Sequence, residues 1–232
     1  MKGKVVAITG GFGILGSAVA ELAKKRGAKV ALIDRAPTPP DGLCDTGSNM
    51  LCLGSVDLTD ERQAADAIEA VFDRFGGLDV LCNIAGGFAW ETLEDGKIDT
   101  WDFLYKLNVK TAAVACRAAL PALKAAKAGR IVNVGAAGAV KAGVGMGAYA
   151  ASKSGTMRLT EALAEELKSG SSVTVNAVLP SIIDTPQNRA DMPDADPKTW
   201  VAPSDLAEVI LFLASDAAKA MTGALVPVTG RV

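Results

Sequence analysis

The stretch Val5-Val6-Ala7-Ile8-Thr9-Gly10-Gly11-Phe12-Gly13-Ile14-Leu15-Gly16 decides the fold. Its first four residues are a short, continuous, β-rich apolar run. From Ile14 to Arg26 apolar positions then recur at three and four, through Leu15, Val19, Leu22 and Ala23, the period of an amphipathic helix. The glycines between the two permit a tight turn and let the backbone come close to a pyrophosphate. The helix that follows offers free amides and the positive end of its dipole. Strand, glycine turn and helix N-terminus in that order are what a dinucleotide site needs. Gly10, Gly13, Ile14, Leu15 and Gly16 are therefore predicted to hold a cofactor.

The same alternation continues outward from this unit. Residues 30–33, 50–53, 80–82, 130–134, 173–178 and 225–228 read as further strands. Residues 60–75, with Thr59 or Asp60 as N-cap, and residues 101–124, 149–168 and 207–214 read as helices. Continuous apolar strands between helices predict an α/β fold: one doubly wound parallel sheet, Rossmann-like, with helices on both faces. No composition shift or repeat divides the chain, so residues 1–232 are read as a single domain. Residues 35–49 and 181–203 are irregular and proline-rich. Loops after strand C-termini line the ligand crevice of such a sheet, so 181–203 is the expected substrate lid.

Composition excludes several chemistries. The chain has 24 basic and 26 acidic residues, a formal charge of −2, which gives no reason to expect nucleic acid or an anionic membrane as partner. No apolar run approaches the ~20 residues of a membrane helix. Met1-Lys2-Gly3-Lys4 leads straight into a strand without a signal-peptide core, so a cytoplasmic protein is expected. Cys44, Cys52, Cys82 and Cys116 lack C-x-x-C spacing and are expected to be buried reduced thiols. There is no histidine, which removes imidazole acid/base chemistry and histidine metal sites. Asp191, Asp194 and Asp196 read as a solvated lid surface, and no metal is expected. Phe12, Phe72, Phe75, Phe212, Met157 and Leu159 read as packing residues. Phe88, Trp90 and Trp200 lie in site loops and read equally as packing or pocket.

Further residues fall where a cofactor would lie. The second strand ends at Asp34, whose carboxylate can accept both hydrogen bonds of an adenosine ribose diol and would repel a 2′-phosphate. This favours NAD, although the adjacent Arg35 could bind that phosphate and admit NADP. Asp57-Leu58 follows the third strand and either contacts adenine or forms a simple turn. Asn83-Ile84-Ala85-Gly86-Gly87 follows the fourth, where small residues at Ala85 and Gly86 allow close approach to the cofactor ribose.

Tyr149 and Lys153 are four apart and share one face of a predicted helix. A free phenol has a pKa of about 10 and is a poor acid near neutrality. A neighbouring ammonium, with oxidised nicotinamide nearby, is expected to lower it and create a proton relay in a chain without histidine.

With these motifs in hand, the chain resembles the short-chain dehydrogenase/reductase family over nearly its whole length. The matching residues are the glycine turn, Asp34, Asp57, Asn83-Ile84-Ala85-Gly86, Asn108, Tyr149-x-x-x-Lys153 and Asn176-Ala177-Val178-Leu179-Pro180. The resemblance implies that Tyr149 is the acid or base, and that Lys153 holds the nicotinamide ribose and tunes Tyr149. It implies that Asn108 holds a water linking Lys153 to solvent. Pro180 closes the strand motif, Thr185 would meet the nicotinamide carboxamide, and Ile183 would offer it backbone groups. It further implies a homotetramer or homodimer and a small-molecule substrate.

The glycines at 10, 13 and 16, Ile84 for a usual asparagine and Ser181 for a usual glycine depart from the family pattern. The largest departure is Ala136, where the family serine would stand. That serine donates to the substrate oxygen, and losing one such donor costs about 10²–10³ in rate. The substrate needs no such donor, another group such as water or Lys141 supplies it, or the protein binds NAD without turnover as a scaffold. Gly143-x-Gly145-Met146-Gly147-x-Tyr149 and the lid string from Asp184 to Asp196 with Trp200 resemble dihydropteridine reductases. That branch has alanine at this position and reduces a quinonoid ring with NADH. The expected function is an NAD-dependent oxidoreductase acting on a carbonyl or quinonoid ring. A sugar-nucleotide epimerase, suggested by the glycine spacing, would need a longer chain.

Overall fold

In the computed structural model, which describes residues 1–44, 47 and 49–232, seven parallel strands form one sheet. They are β1 Val5–Thr9, β2 Lys29–Ile33, β3 Met50–Leu53, β4 Val80–Asn83, β5 Arg130–Val134, β6 Thr174–Pro180 and β7 Leu225–Val228. Their order is β3-β2-β1-β4-β5-β6-β7, and Val6 is level with Val30 on one side and Val80 on the other. The order reverses between β1 and β4, which opens a crevice at their C-terminal ends. The expected irregular segment 35–49 falls partly outside the described residues.

The continuous apolar strands follow from the layering. Val6, Ile8, Val30 and Leu32 point into one core, with α1 (Ile14–Lys25) and α7 (Pro203–Leu213) packed over it. Val5, Ala7, Ala31 and Ile33 point into the other. That second core is covered by α2 (Glu61–Phe75), α4 (Thr111–Ala125) and α5 (Gly147–Leu167). A strand covered on both faces loses the alternation of a half-buried one. Asp60 is the N-cap of α2, accepting from the amides of Arg62 and Gln63.

Several expectations are corrected. The single helix read over 101–124 is α3 (Ile98–Tyr105), a π-turn (Lys106–Lys110) and α4. The lid contains the short helix α6 (Pro186–Asp191) and is tied down by a parallel bridge between Ile183 and Val201. Phe72 and Phe212 are exposed rather than packed, while Trp200 is buried, one of the two readings left open for it. Cys44 and Cys52 are joined in a disulfide with Cα atoms 6.4 Å apart, not held as thiols. Cys82 and Cys116 are buried thiols as expected, pushed up to about 12 by burial. Among the described residues no helix is long and apolar enough to cross a membrane, and no group of acids or cysteines could hold a metal ion.

Candidate active site

A cleft of about 580 Å³ runs along the C-terminal ends of β1, β2 and β4. One wall is Gly10, Gly13, Ile14, Leu15 and Gly16. Gly10 has φ +65°, and a Cβ there would lie 2.7 Å from the Ala85 amide nitrogen. A Cβ on Gly16 would overlap the Gly10 carbonyl. Two glycines are thus demanded by close backbone approach. Gly13 is the N-cap of α1 and supplies no side-chain cap, so the first amides of the helix face the cleft without a side-chain acceptor. Thr9 Oγ1 accepts from the amides of Ile84 and Ala85 at 3.1 and 3.2 Å, tying the glycine turn to the loop after β4.

Asp34 and Arg35 stand at one end of the cleft with Asp57 and Leu58. Asp34 braces the glycine turn: Oδ2 accepts from the Phe12 amide and Oδ1 from the Ala36 amide, each at 2.9 Å. A carboxylate has about four acceptor positions, so two remain for a ribose diol. Asp57 forms a turn. Its carboxylate accepts from the Thr59 amide and hydroxyl, and its own amide donates to Gln63. The Thr59 amide is the main cause holding the Asp57 carboxyl below its ordinary range, with Arg35 and Lys110 adding less. Of the two readings left open for Asp57, the turn is the one its bonds describe.

Ala85, Gly86 and Thr185 also line the cleft. Asn83 does not. It is buried, and its amide donates to Asn133 Oδ1 at 2.9 Å and to Cys116 Sγ. Pro180 ends β6 inside the fold. The Ile183 carbonyl accepts from the Asn188 side chain at 2.7 Å. Thr185 is the N-cap of α6, with its hydroxyl accepting from the Asn188 amide. Sequence reasoning missed Phe103, Lys106, Leu107 and Thr111, which complete the wall beside the π-turn. Adjacency to Asn108 was the only signal for them.

Tyr149 and Lys153 lie on the first turns of α5. Lys153 is buried and donates to the Val134 carbonyl at 2.9 Å. Burial is the one cause pushing its ammonium down to about 8. Burial alone also pushes the Tyr149 phenol up to about 12 in the cofactor-free chain; the lowering expected of Lys153 together with oxidised nicotinamide belongs to the loaded site. Gly86 meets Lys153 and Asn108: a Cβ there would lie 2.6 Å from Asn108 Oδ1 and 3.0 Å from Lys153 Nζ. Absence of a side chain at 86 therefore opens the corner where Lys153, Asn108 and the cleft meet.

Asn108 is held on every side by protein. Its Oδ1 accepts from the Gly87 amide, and its Nδ2 donates to the Gly87 carbonyl and Ser152 Oγ. Its main-chain carbonyl, in the π-turn, accepts from Thr156 Oγ1 at 2.9 Å. Asn108 thus pins the loop after β4 to α5. Ala136 is buried directly after β5, and its methyl offers no donor.

The arrangement fits a class, the dinucleotide-dependent oxidoreductases: a glycine-lined cleft whose corner at Gly86 meets the Lys153 ammonium, with the Tyr149 phenol one helical turn away on α5. Comparison narrows it. The family model described as short chain dehydrogenase matches residues 4–196, and the chain belongs to the short-chain dehydrogenase/reductase family. It is 31% identical to a D-beta-hydroxybutyrate dehydrogenase of Rhizobium meliloti, covering 98% of this chain and 97% of that one. It is 32% identical to a 3-oxoacyl-[acyl-carrier-protein] reductase of Thermotoga maritima, covering 99% and 98%. A solved 3-ketoacyl-(acyl-carrier-protein) reductase from Brucella melitensis, complexed with NADH, superposes with a TM-score of 0.87 at 29% identity, over 99% of this chain and 98% of that one. The protein is an oxidoreductase of this family, whose members use a nicotinamide cofactor.

Proposed function

We propose that this protein reduces a small carbonyl or quinonoid-ring substrate with NADH, with Tyr149 as proton donor. The observation that carries the reading is the corner at Gly86, where a glycine-lined cleft meets Lys153 and Asn108 one helical turn from Tyr149. The glycine cradle and the uncapped start of α1 fit a pyrophosphate, and Asp34 fits a ribose diol, so NAD is preferred over NADP. Bound there, the nicotinamide supplies the hydride. Lys153, beside Gly86, would hold the adjoining ribose. Tyr149 would give its proton to the substrate oxygen, or take one in the reverse direction. With a phenol at about 12, Tyr149 stays protonated at neutral pH, the form a reductase needs.

Ala136 directs the substrate choice. Without a hydroxyl at that place, a carbonyl that concentrates charge on one oxygen loses a stabilising donor. A quinonoid or conjugated ring spreads that charge and loses less. The lid string that resembles dihydropteridine reductases supports a quinonoid pterin as one such substrate. A panel of NADH-oxidation assays with quinonoid dihydropterin, quinones and open-chain ketones tests the reading. Turnover of at least one carbonyl or quinonoid compound is expected. NADH binding without turnover across the panel would favour the second reading, a non-catalytic NAD-binding scaffold, for which Ala136 is the motive. We further propose a homotetramer or homodimer pairing through α4 and α5, supported by exposed Ile98, Phe103 and Tyr105 on the adjoining α3.

A further inference from the structure

Phe88 and Trp90 are each 57% exposed, in a loop that follows the cofactor-lining residues Ala85 and Gly86. Single exposed apolar residues are ordinary, but these two are held in place. The Phe88 ring meets the Tyr149 ring edge to face, with centroids 4.8 Å apart and an interplanar angle of 78°. Trp90 Nε1 donates to the Val144 carbonyl at 2.9 Å, and the next amide, Glu91, donates to the Gly145 carbonyl at 2.9 Å. Gly145 has φ +72°, and a Cβ there would overlap the Trp90 indole. The loop after β4 is therefore clasped to the segment that leads into α5, and glycine at 145 is the condition for the clasp.

The clasp uses up the one polar group of the indole, so what Trp90 presents outward is apolar ring. Phe88 has no polar group. Val144, 81% exposed, extends the apolar surface on the opposing segment to which Trp90 is bonded. The nearest acid in the loop, Glu91, has its carboxylate turned to the Lys97 amide. Ala136 adds no donor. A surface of this kind recognises the face of a π-system, at reduced cost in side-chain entropy because both rings already have partners in the protein.

We propose that Phe88 and Trp90 are specificity-determining residues, forming a fixed aromatic wall that begins at the Tyr149 phenol and selects a flat, conjugated ring carrying the carbonyl over an open-chain ketone. The inference rests on the reading of Tyr149 as proton donor and names the substrate class of that same site. An open, flexible ketone gains little from a rigid aromatic face. A flat ring stacked on the wall has its rim oxygen beside the phenol.

The test compares phenanthrenequinone, a flat ring, with ethyl acetoacetate, an open chain, in NADH-dependent steady-state assays. Wild-type protein is expected to favour the ring by tenfold or more in kcat/KM. Phe88→Leu and Trp90→Leu stay apolar and lose the π-face, the second also losing the bond to the Val144 carbonyl. Each is expected to raise the ring KM by about fivefold to tenfold and leave the open-chain kinetics within twofold. Phe88→Tyr is expected to retain the ring preference. An equal fall for both substrates would mean that the variants only disturb Tyr149, and it overturns the proposal. So does an unchanged ring KM, or a wild-type preference for the open chain. Failure of the underlying reading looks different: turnover surviving in Tyr149→Phe, or NADH binding with no turnover of either compound. In that last case quenching of tryptophan fluorescence by phenanthrenequinone decides the wall by itself. Quenching lost in Trp90→Leu upholds it, and quenching that is absent or unchanged overturns it.

Discussion

Burial of Lys153 has a measurable consequence for stability. Its ammonium titrates at about 8 in the folded protein against an ordinary 10.5, with desolvation as the cause. Below pH 8 both folded and unfolded chains carry the proton, and the folded state bears the full cost of a buried charge. Between about 8 and 10.5 the unfolded chain binds one proton more than the folded one, so stability rises with pH. One pKa unit is 1.36 kcal/mol, and the shift therefore corresponds to about 3 kcal/mol. Most of it, about 2 to 3 kcal/mol, should be recovered between pH 7 and pH 10. Tyr149, Cys82 and Cys116 are pushed up to about 12 by burial, and their contribution has the opposite sign, falling as pH rises through 9 and above. The comparison that isolates Lys153 is wild type against Lys153→Met in urea unfolding of the cofactor-free protein, at pH 7 and pH 10. The stability difference, wild type minus variant, is expected to move in favour of wild type by about 2 to 3 kcal/mol over that range. A difference that stays flat with pH would show that Lys153 is not desolvated in the folded chain, and the electrostatic account of the site would fail.

Three other outcomes follow from the geometry. Gly86→Ala places a methyl group 2.6 Å from Asn108 Oδ1 and 3.0 Å from Lys153 Nζ, so NADH affinity by fluorescence titration should fall at least tenfold while far-UV circular dichroism is unchanged. Asp34→Ala removes the acceptor for a ribose diol and the brace on Phe12, so the ratio of NADH to NADPH activity should drop by about tenfold or more; an unchanged ratio would assign cofactor choice elsewhere. Ala136→Ser restores a donor at the site and should raise open-chain ketone reduction about 10²-fold, with little change for a ring quinone; equal effects on both would remove Ala136 from the argument about substrate.

The sheet and its glycine turn were legible because their signals are local. Residues such as Val5 to Ile8 and Val30 to Ile33 form continuous apolar runs, since each faces one of two cores. The π-turn at Lys106–Lys110 was not legible, and with it went Lys106 and Leu107 of the cleft wall and Phe103 and Thr111 on either side. Its support is tertiary: Thr156 on α5 takes the Asn108 carbonyl, and Gly87 and Ser152 take its side chain. Asn83 stands at the right place in the chain for a cofactor, but its bond to Asn133 depends on a neighbour 50 residues away, which no local period reveals. The disulfide between Cys44 and Cys52 was missed for the same reason. It joins a loop to β3, and spacing alone carried no geometry. Burial of the Tyr149 ring, which pushes its phenol up to about 12, was likewise not legible in the Tyr149–Lys153 spacing.

The central claim is that Tyr149 carries the proton in a nicotinamide-dependent reduction. Tyr149→Phe removes one oxygen and leaves the ring that packs on Phe88. The direct measurement is the rate of NADH oxidation by this variant with whichever ring or carbonyl compound the wild-type protein turns over, alongside its affinity for NADH. The account predicts affinity within about twofold of wild type and a rate lowered by about 10²–10⁴. A variant that binds NADH and turns over within about tenfold of wild type would contradict it.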